Sequence, residues 1–418
     1  MEKNKLLEMA TNEFVENIPV LFKRYLTTAL VEYRDECERN GAITLAFGER
    51  WHWKTKLCTS LPIWVMTIYG GVHLPRIQIM DANGKRHNIT RWLLGLKARE
   101  KIPMQTRRKV AGVAAQCSFR AAKEICKVLG NIKVALGSVL KSVRMVANEI
   151  KNEPNLNEQQ LYYIDTTGGH VAKAKKSVES GSLMQEHGDG TLHSVSVTCA
   201  KVHTGFYKLM ESVALLWRGR ENIPPIMFMF DGDIDVLNAV KRIKDKYGIT
   251  IHLQRCLWHL KRSVHWVLWK DAEGDKKKDD GIRALEPEVS AELENILNDK
   301  NQEREYIIKR MRRLAAWCRL KGAHKMAKYF RRAAPHITTS RDLGMYATKR
   351  CKYKKGKTYK FPAFANSRIE RSFRTTNYRI KRGRWWSANG SRDMMKLRLD
   401  CYYGGGGTTF NHPSLKRA

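Results

Sequence analysis

The feature that most constrains the fold is a series of short apolar runs that alternate with amphipathic segments between residues 161 and 269. The first run, residues 161–164, leads into Asp165, and a later one, residues 226–230, leads into Asp231. Short apolar runs are typical of buried strands, and the longer periodic segments between them are typical of helices. The order is β-β-α-β-α-β-α, which predicts an α/β domain with a mixed central sheet.

An aspartate at the end of a buried strand costs free energy unless a cation meets it. Asp165 and Asp231 both follow predicted strands and are therefore candidate metal ligands. Asp233 and Asp235 lie close behind, so the second carboxylate could also be Asp233. We favour Asp231, because it ends the strand directly and precedes Gly232.

A third candidate carboxylate, Glu370, lies in a strongly basic segment. If this segment is a helix, Glu370 shares one face with Asn366, Arg374 and Asn377, and such a polar stripe suits a functional site. By itself, Glu370 is more simply explained by a surface ion pair with Arg371 or Arg374. Together with the two aspartates, it predicts a site for divalent cations.

The charge balance points to a polyanionic partner. The 418 residues include 77 lysines and arginines but only 41 aspartates and glutamates, which gives a net charge of +36. Such an excess repels itself in a compact protein, and nucleic acid is the partner that best explains it. The charge is spread along the chain, which disfavours binding to a membrane surface.

The cysteines and apolar segments exclude several other classes of protein. The nine cysteines are odd in number and include no Cys-x-x-Cys pair, which predicts neither a disulfide framework nor a zinc ribbon. No apolar run approaches the ~18 residues of a membrane span, and the N-terminus does not resemble a signal peptide. We therefore expect a reduced, intracellular protein.

The N-terminal part contains two predicted modules. Residues 51–86 consist of β-like runs, in which His52, Cys58 and His73 are conceivable zinc ligands, although ordinary packing is the favoured explanation. Residues 104–150 read as three short helices with Ser118 as an N-cap, a pattern that resembles a helix-turn-helix whose last helix enters the major groove. A helical bundle with a solvated basic face is the alternative.

Four short motifs carry a resemblance to a known family. They are Ile164-Asp165-x-Thr167, Phe230-Asp231-Gly232, Cys256-x-x-His259 and Asn366-x-x-x-Glu370-Arg371. Their order resembles that of the DDE transposases of bacterial and archaeal insertion sequences, in the Mutator-like branch with a Cys-x-x-His signature.

The resemblance implies a ribonuclease-H-like core in which Asp165, Asp231 and Glu370 bind two Mg²⁺ ions, with Mn²⁺ as a substitute. It also implies supporting roles for Cys256 and His259, with core packing as the alternative for this pair, and for Asn366. The expected partners are the terminal repeats and the target, both double-stranded DNA, and further copies of the chain in a homodimer or larger assembly. The expected location is the cytoplasm of a prokaryotic cell, at the nucleoid.

Basic side chains near Glu370 and in the helix-turn-helix-like region are the candidate DNA contacts. Trp385 and Trp386 could stack on a flipped base or simply pack in the core. Two other functions remain open, namely a non-catalytic DNA-binding protein on a transposase-derived scaffold and a metal-dependent nuclease without strand transfer. The candidate DNA-binding residues are Arg107, Arg108, Lys141, Arg144, Arg371, Arg374, Asn377, Arg379 and Arg382.

The composition shifts along the chain predict seven segments. They are an N-terminal helical segment (1–50), a small β module (51–103), a helix-turn-helix-like region (104–150), the first part of the core (160–260), a helical insertion (261–360), the helices that complete the core (361–402) and a flexible tail (403–418).

Overall fold

The chain divides into two compact units, residues 1–150 and residues 151–418. The first unit combines a small sheet with short helices, and the second combines a larger sheet with many helices. The computed structural model describes residues 20–32, 35, 56–80, 86–150, 153–170, 177–201, 203–273, 280–299, 303–350, 358–362, 369–370, 373, 376 and 387–403.

The small β module of the first unit is an antiparallel three-stranded sheet. Its apolar side chains, including Val65, Leu74 and Ile77, form a core together with Leu30 from the helical run over residues 20–32. Of the conceivable zinc ligands, His73 is exposed on the second strand, and His52 lies outside the described residues. The elements are β1 (Lys56–Thr67), β2 (Gly70–Met80), β3 (Arg86–Asn88) and the short helix α1 (Ile89–Leu93).

Three helices follow, as the sequence predicts. The side chain of Ser118 accepts a hydrogen bond from the backbone N–H of Ala121, so it caps the second helix as expected. Asn131 ends that helix in the left-handed conformation, at φ +48°. The helices are α2 (Met104–Gln116), α3 (Phe119–Gly130) and α4 (Leu136–Glu149).

The second unit is built on a mixed sheet flanked by helices, as predicted, and this sheet has five strands where the sequence predicted four. The strand order is β6-β5-β4-β7-β8, in which β4, β5 and β6 are antiparallel neighbours and β4, β7 and β8 are parallel. The strands are β4 (Leu161–His170), β5 (Ser177–Glu186), β6 (Leu192–Lys201), β7 (Ile226–Phe230) and β8 (Ile251–Arg255).

Two expectations about this sheet were wrong. β4 does not end at Asp165 but continues to His170, and β5 was not expected at all. The parallel pairing of β4 with β7 stops at Tyr163, whereas the antiparallel pairing with β5 continues to His170. β5 therefore supplies hydrogen bonds to the glycine-rich end of β4, a segment that by itself favours a turn.

Side chains alternate between the two faces of the sheet, and each face has its own core. On one face, Tyr162 and Phe228 pack against helices α5 (Gly205–Trp217) and α6 (Ile234–Tyr247). On the other face, Tyr163 and Met229 pack with Ile369 and Phe373, whose backbone is helical, and with helix α13 (Ala388–Tyr403).

Between β8 and residue 342, the residues that the structure describes are largely helical and have a separate core, which includes Leu260, Val264, Met311 and Phe330. None of the helices in the described part of the chain combines the length and apolar character that crossing a membrane requires. The helices are α7 (Leu257–Ala272), α8 (Asp280–Arg283), α9 (Glu286–Leu297), α10 (Arg304–Leu320), α11 (His324–Ala333), a 3₁₀ turn (Ala334–His336) and α12 (Thr339–Asp342).

The lysine-rich stretch 349–360, predicted as the end of the helical insertion (261–360), contributes instead to an antiparallel hairpin of β9 (Tyr346–Arg350) and β10 (Thr358–Pro362). Residues 351–357 lie outside the described residues. Ala347 packs in the core of the large sheet, and the backbone N–H of Thr348 donates to Glu186 Oε1 at 2.5 Å. These long-range contacts explain why the local sequence pattern did not predict the hairpin.

Candidate functional site

The register of the sheet brings Asp165 and Asp231 to the same level on neighbouring strands. Tyr163 pairs with Met229; Asp165 lies two residues further along β4, and Asp231 lies two residues beyond Met229, directly after the end of β7. Because neighbouring strands run ~4.8 Å apart, the two carboxylates emerge close together. By the alternation of side chains, Asp165 projects from the face that carries Tyr163.

Glu370 reaches the same face from a different element. Its neighbours Ile369 and Phe373 are buried against Tyr163 and Met229, which fixes this helical segment on the sheet. The side chain of Glu370 is 27% exposed. Its negative charge and that of Asp231 both act on Asp165, so the three carboxylates predicted from the sequence lie within electrostatic reach of one another.

The electrostatics of this acidic site are unfavourable in the absence of a cation. Burial raises the pKa of Asp165 well above its usual range, and the charges of Asp231, Glu370 and Asp233 raise it further. A hydrogen bond from the backbone N–H of Thr166 to Asp165 Oδ1, at 2.8 Å, partly opposes this increase. A bound cation would remove the repulsion.

A sharp turn positions Asp231 after β7. Asp231 Oδ1 accepts a hydrogen bond from the backbone N–H of Asp233 at 3.1 Å. Asp233 caps helix α6, where its Oδ1 accepts from the N–H of Asp235, and Asp235 in turn contacts the Nδ1 of His203 at 2.6 Å. The carboxyl group of Asp233 is thus used as the cap of helix α6 and that of Asp235 contacts His203, whereas Asp231 lies directly after β7.

Arg255 lies directly behind this turn, and sequence reasoning missed it. Only 2% of the residue is exposed, and in the described part of the chain it forms no ion pair. Its guanidinium donates to the hydroxyl of Tyr329 at 2.5 Å and to the carbonyl of Phe230 at 3.5 Å. Gly232 permits this approach, since a Cβ there would lie 2.3 Å from Arg255 Cζ. A buried positive charge thus lies next to the acidic site.

Cys256 is the N-cap of helix α7, and His259 lies in the first turn of that helix. The sulfur of Cys256 accepts a hydrogen bond from the N–H of His259 at 3.5 Å and lies 3.2 Å from His259 Nδ1. The other ring nitrogen, Nε2, lies 2.5 Å from Glu370 Oε1. Burial lowers the pKa of His259, and the charges of Arg255 and Arg262 lower it further, although Glu370 and Asp231 oppose them. The Cys-x-x-His pair therefore links helix α7 to Glu370.

The donor atoms of the site suit a hard divalent cation. All three carboxylates offer oxygen, and Glu370 Oε1 is buried without a hydrogen-bond partner among the described residues, although it contacts His259. Within the same part of the chain, no three histidine, cysteine, aspartate or glutamate side chains are already arranged around one metal position. The chemistry of the residues thus fits Mg²⁺ or Mn²⁺, and the described geometry is that of separate carboxylates.

Comparisons with known proteins give no family for the chain. No protein-family model matches it, and no curated protein is significantly similar to it.

Several predicted contacts lie outside the described residues. This is true of Asn366, a supporting candidate, and of the tryptophans Trp385 and Trp386. It is also true of five candidate DNA-binding residues, Arg371, Arg374, Asn377, Arg379 and Arg382.

In the first unit, the structure argues against a DNA contact by Arg107. This arginine is only 3% exposed, its pKa is lowered by burial, and its guanidinium lies 3.6 Å from Glu100. It faces the interior because it lies on the packed side of helix α2, which the basic composition of the segment did not reveal. The other three candidates, Arg108, Lys141 and Arg144, are exposed.

We expect the Tyr329→Phe substitution to destabilise the second unit by about 1–3 kcal/mol, because it removes the nearer of the two acceptors of a buried guanidinium. The Tyr306→Phe substitution is the matched control, since that hydroxyl lies at the surface, 3.3 Å from Asp299, and its loss should cost less than about 0.5 kcal/mol. Urea denaturation of both variants measures the difference. Equal stabilities would contradict the importance of the Arg255–Tyr329 contact.

Proposed function

We propose that this chain is a DNA transposase, which hydrolyses phosphodiesters at the ends of a transposable element and joins the freed 3′-hydroxyls to target DNA. The observation that carries the proposal is the approach of Asp165, Asp231 and Glu370, which are far apart in the sequence, to one another at the sheet. Carboxylates within electrostatic reach of one another, in a chain with a net charge of +36, suit divalent cations held against a polyanion.

The architecture supports the same proposal. A mixed five-stranded sheet flanked by helices is compatible with a ribonuclease-H-like core. Glu370 follows a largely helical region with its own apolar core, which is the position that the resemblance to DDE transposases implies for it.

In this proposal, Asp165, Asp231 and Glu370 hold two Mg²⁺ or Mn²⁺ ions. When bound, the ions supply activation of the attacking water or 3′-hydroxyl and stabilisation of the leaving oxygen. The turn through Gly232 and Asp233 orients Asp231, and His259 orients Glu370. The buried charge of Arg255 offsets part of the negative charge of the site.

The first unit is proposed to bind the ends of the element through helices α2 to α4. Arg108, Lys141 and Arg144 are exposed there, although Arg108 pairs with Glu149 and Lys141 with Glu100. Contacts to phosphates should make binding steeply dependent on salt. Because both ends must be held together, the active form is proposed to be a homodimer or a larger assembly on DNA.

Purified protein incubated with double-stranded DNA that carries the sequences flanking its own gene tests the proposal. With Mg²⁺ or Mn²⁺ we expect strand cleavage and joined products, and with EDTA we expect neither. The Glu370→Gln variant should be inactive. The Asp280→Asn variant, which removes an exposed carboxylate on helix α8, is the control for the loss of a negative charge and should retain activity.

The outcomes separate the proposal from its alternatives. Cleavage without joining would identify a metal-dependent nuclease. Specific binding without cleavage in any divalent cation would identify a non-catalytic DNA-binding protein.

A further inference from the structure

Helix α7 exposes a stripe of three residues, Trp258, Arg262 and Trp266, which we call the tryptophan–arginine stripe. The residues are spaced four apart and therefore share one face of the helix. Trp258 is 44% exposed and Trp266 is 53% exposed, whereas Leu260 and Val264 on the opposite face are buried. Large aromatic side chains this exposed on one helix face are typical of a binding surface.

The stripe carries an available positive charge. The guanidinium of Arg262 lies 4.9 Å from the centre of the Trp258 ring, and within the described residues it forms no ion pair. The neighbouring basic groups on this helix are already engaged, since Lys261 pairs with Glu294 and His265 pairs with Glu286. A cation between two exposed aromatic rings matches the chemistry of a nucleic-acid strand, which alternates phosphates with flat bases.

The stripe begins at the acidic site. The ring of Trp258 lies 5.0 Å from the ring of His259, which contacts Glu370. Trp258 and Trp266 are eight residues apart, which corresponds to ~12 Å of helix at ~1.5 Å per residue. At ~3.4 Å per nucleotide of a stacked strand, this length corresponds to about three to four nucleotides.

We propose that the tryptophan–arginine stripe binds an unpaired DNA strand that continues from the acidic site. Bases stack on Trp258 and Trp266, and Arg262 contacts the phosphates between them. An unpaired strand is favoured over duplex DNA because a paired base does not present its flat face to a side chain. The proposal rests on the proposed function for the origin of the strand, but strand binding itself can be measured without catalysis.

Fluorescence anisotropy with a labelled oligothymidine of about 12 nucleotides, and with a duplex of equal length, tests the proposal in EDTA. We expect the Trp258→Leu and Trp266→Leu substitutions, each of which keeps an apolar side chain, to weaken single-strand binding roughly tenfold each. Trp258→Phe, which keeps a ring, should lose less. Arg262→Ala should also weaken single-strand binding. Duplex affinity should change less than about threefold.

Trp92→Leu is the matched control, because Trp92 is 47% exposed but belongs to the first unit. It should bind the single strand as the wild type does, and thermal denaturation should show that all variants are folded. Wild-type affinity in the Trp258→Leu/Trp266→Leu double variant, or an equal loss for both DNAs, would overturn the proposal.

Cleavage assays in parallel separate this proposal from the proposed function. If wild-type protein cleaves DNA while the leucine variants still bind the single strand normally, only the stripe proposal fails. If the stripe variants lose single-strand binding but wild-type protein never cleaves DNA, only the proposed function fails.

Discussion

The Asp165→Asn substitution is expected to lower metal-dependent DNA cleavage by about a thousandfold or more. Loss of a carboxylate ligand removes several kcal/mol of stabilisation of the charged transition state, and ~4 kcal/mol corresponds to about a thousandfold in rate. Single-turnover cleavage at saturating protein measures this effect apart from DNA binding. A variant that retains a tenth or more of wild-type cleavage would remove Asp165 from the proposed site.

The same substitution should stabilise the metal-free protein at neutral pH. Because the pKa of Asp165 is raised in the fold, the folded state retains a proton that the unfolded state releases as the pH rises above ~4. The stability of wild type therefore falls as the pH rises toward the raised pKa. The Asp165→Asn variant has no titrating group at this position and does not lose stability in this way. Thermal denaturation in EDTA between pH 4 and pH 8 should show the melting temperature of the variant increasingly above that of wild type.

Two further comparisons constrain this prediction. Asp189→Asn is the control, and its expected effect on stability has the opposite sign. Hydrogen bonds from Thr191 lower the pKa of Asp189, so the Asp189 carboxylate stabilises the fold at neutral pH. This contribution is lost at acidic pH. Mg²⁺ should raise the melting temperature of wild type more than that of Asp165→Asn, because a ligand that binds the folded state stabilises it. If Asp165→Asn is less stable than wild type in EDTA at pH 8, the carboxylates around Asp165 do not destabilise the metal-free fold by repulsion.

The second large effect is expected at Gly232, where alanine should be far more damaging than at other glycines. Gly232 has φ +102°, and an added Cβ would lie 2.3 Å from Arg255 Cζ. Left-handed backbone costs a residue with a Cβ ~1–2 kcal/mol, and the clash with a buried side chain adds ~1–3 kcal/mol. We also expect DNA cleavage to fall, because the turn that orients Asp231 must shift.

Gly248→Ala is the matched control for the backbone contribution. Gly248 ends helix α6 with φ +69°, and a Cβ there would meet nothing within 4 Å. Its substitution should cost only the ~1–2 kcal/mol of the left-handed conformation and leave cleavage unchanged. Urea denaturation of the two variants measures the difference, and equal losses would mean that Arg255 moves aside freely.

Local pattern was sufficient for much of the second unit. The run 226–230 is a strand with every residue buried, as its uninterrupted apolar character predicted. Helices α5 to α7 lie where the periodicity placed them, and Ser118 and Asn131 delimit helix α3 through their own backbone and side-chain preferences. These elements depend on neighbours within a few residues.

Other features depend on partners distant in the sequence. β5 contains few apolar residues in a row, and it becomes a strand because it pairs on both edges with β4 and β6. Arg107 and Arg255 resemble other arginines in a basic chain, yet both are buried. A prediction based on charge alone would place both of them at the surface.

The amino-acid sequence alone determined the α/β class, most helices, the basic character and the candidate carboxylates of this protein. The tertiary structure alone decided that Asp165, Asp231 and Glu370 approach one another, that Arg255 lies behind them, and that Trp258 and Trp266 remain exposed. The physical reason is that helix and strand preferences arise from near neighbours, whereas burial and electrostatic coupling arise from segments that meet only when the chain packs.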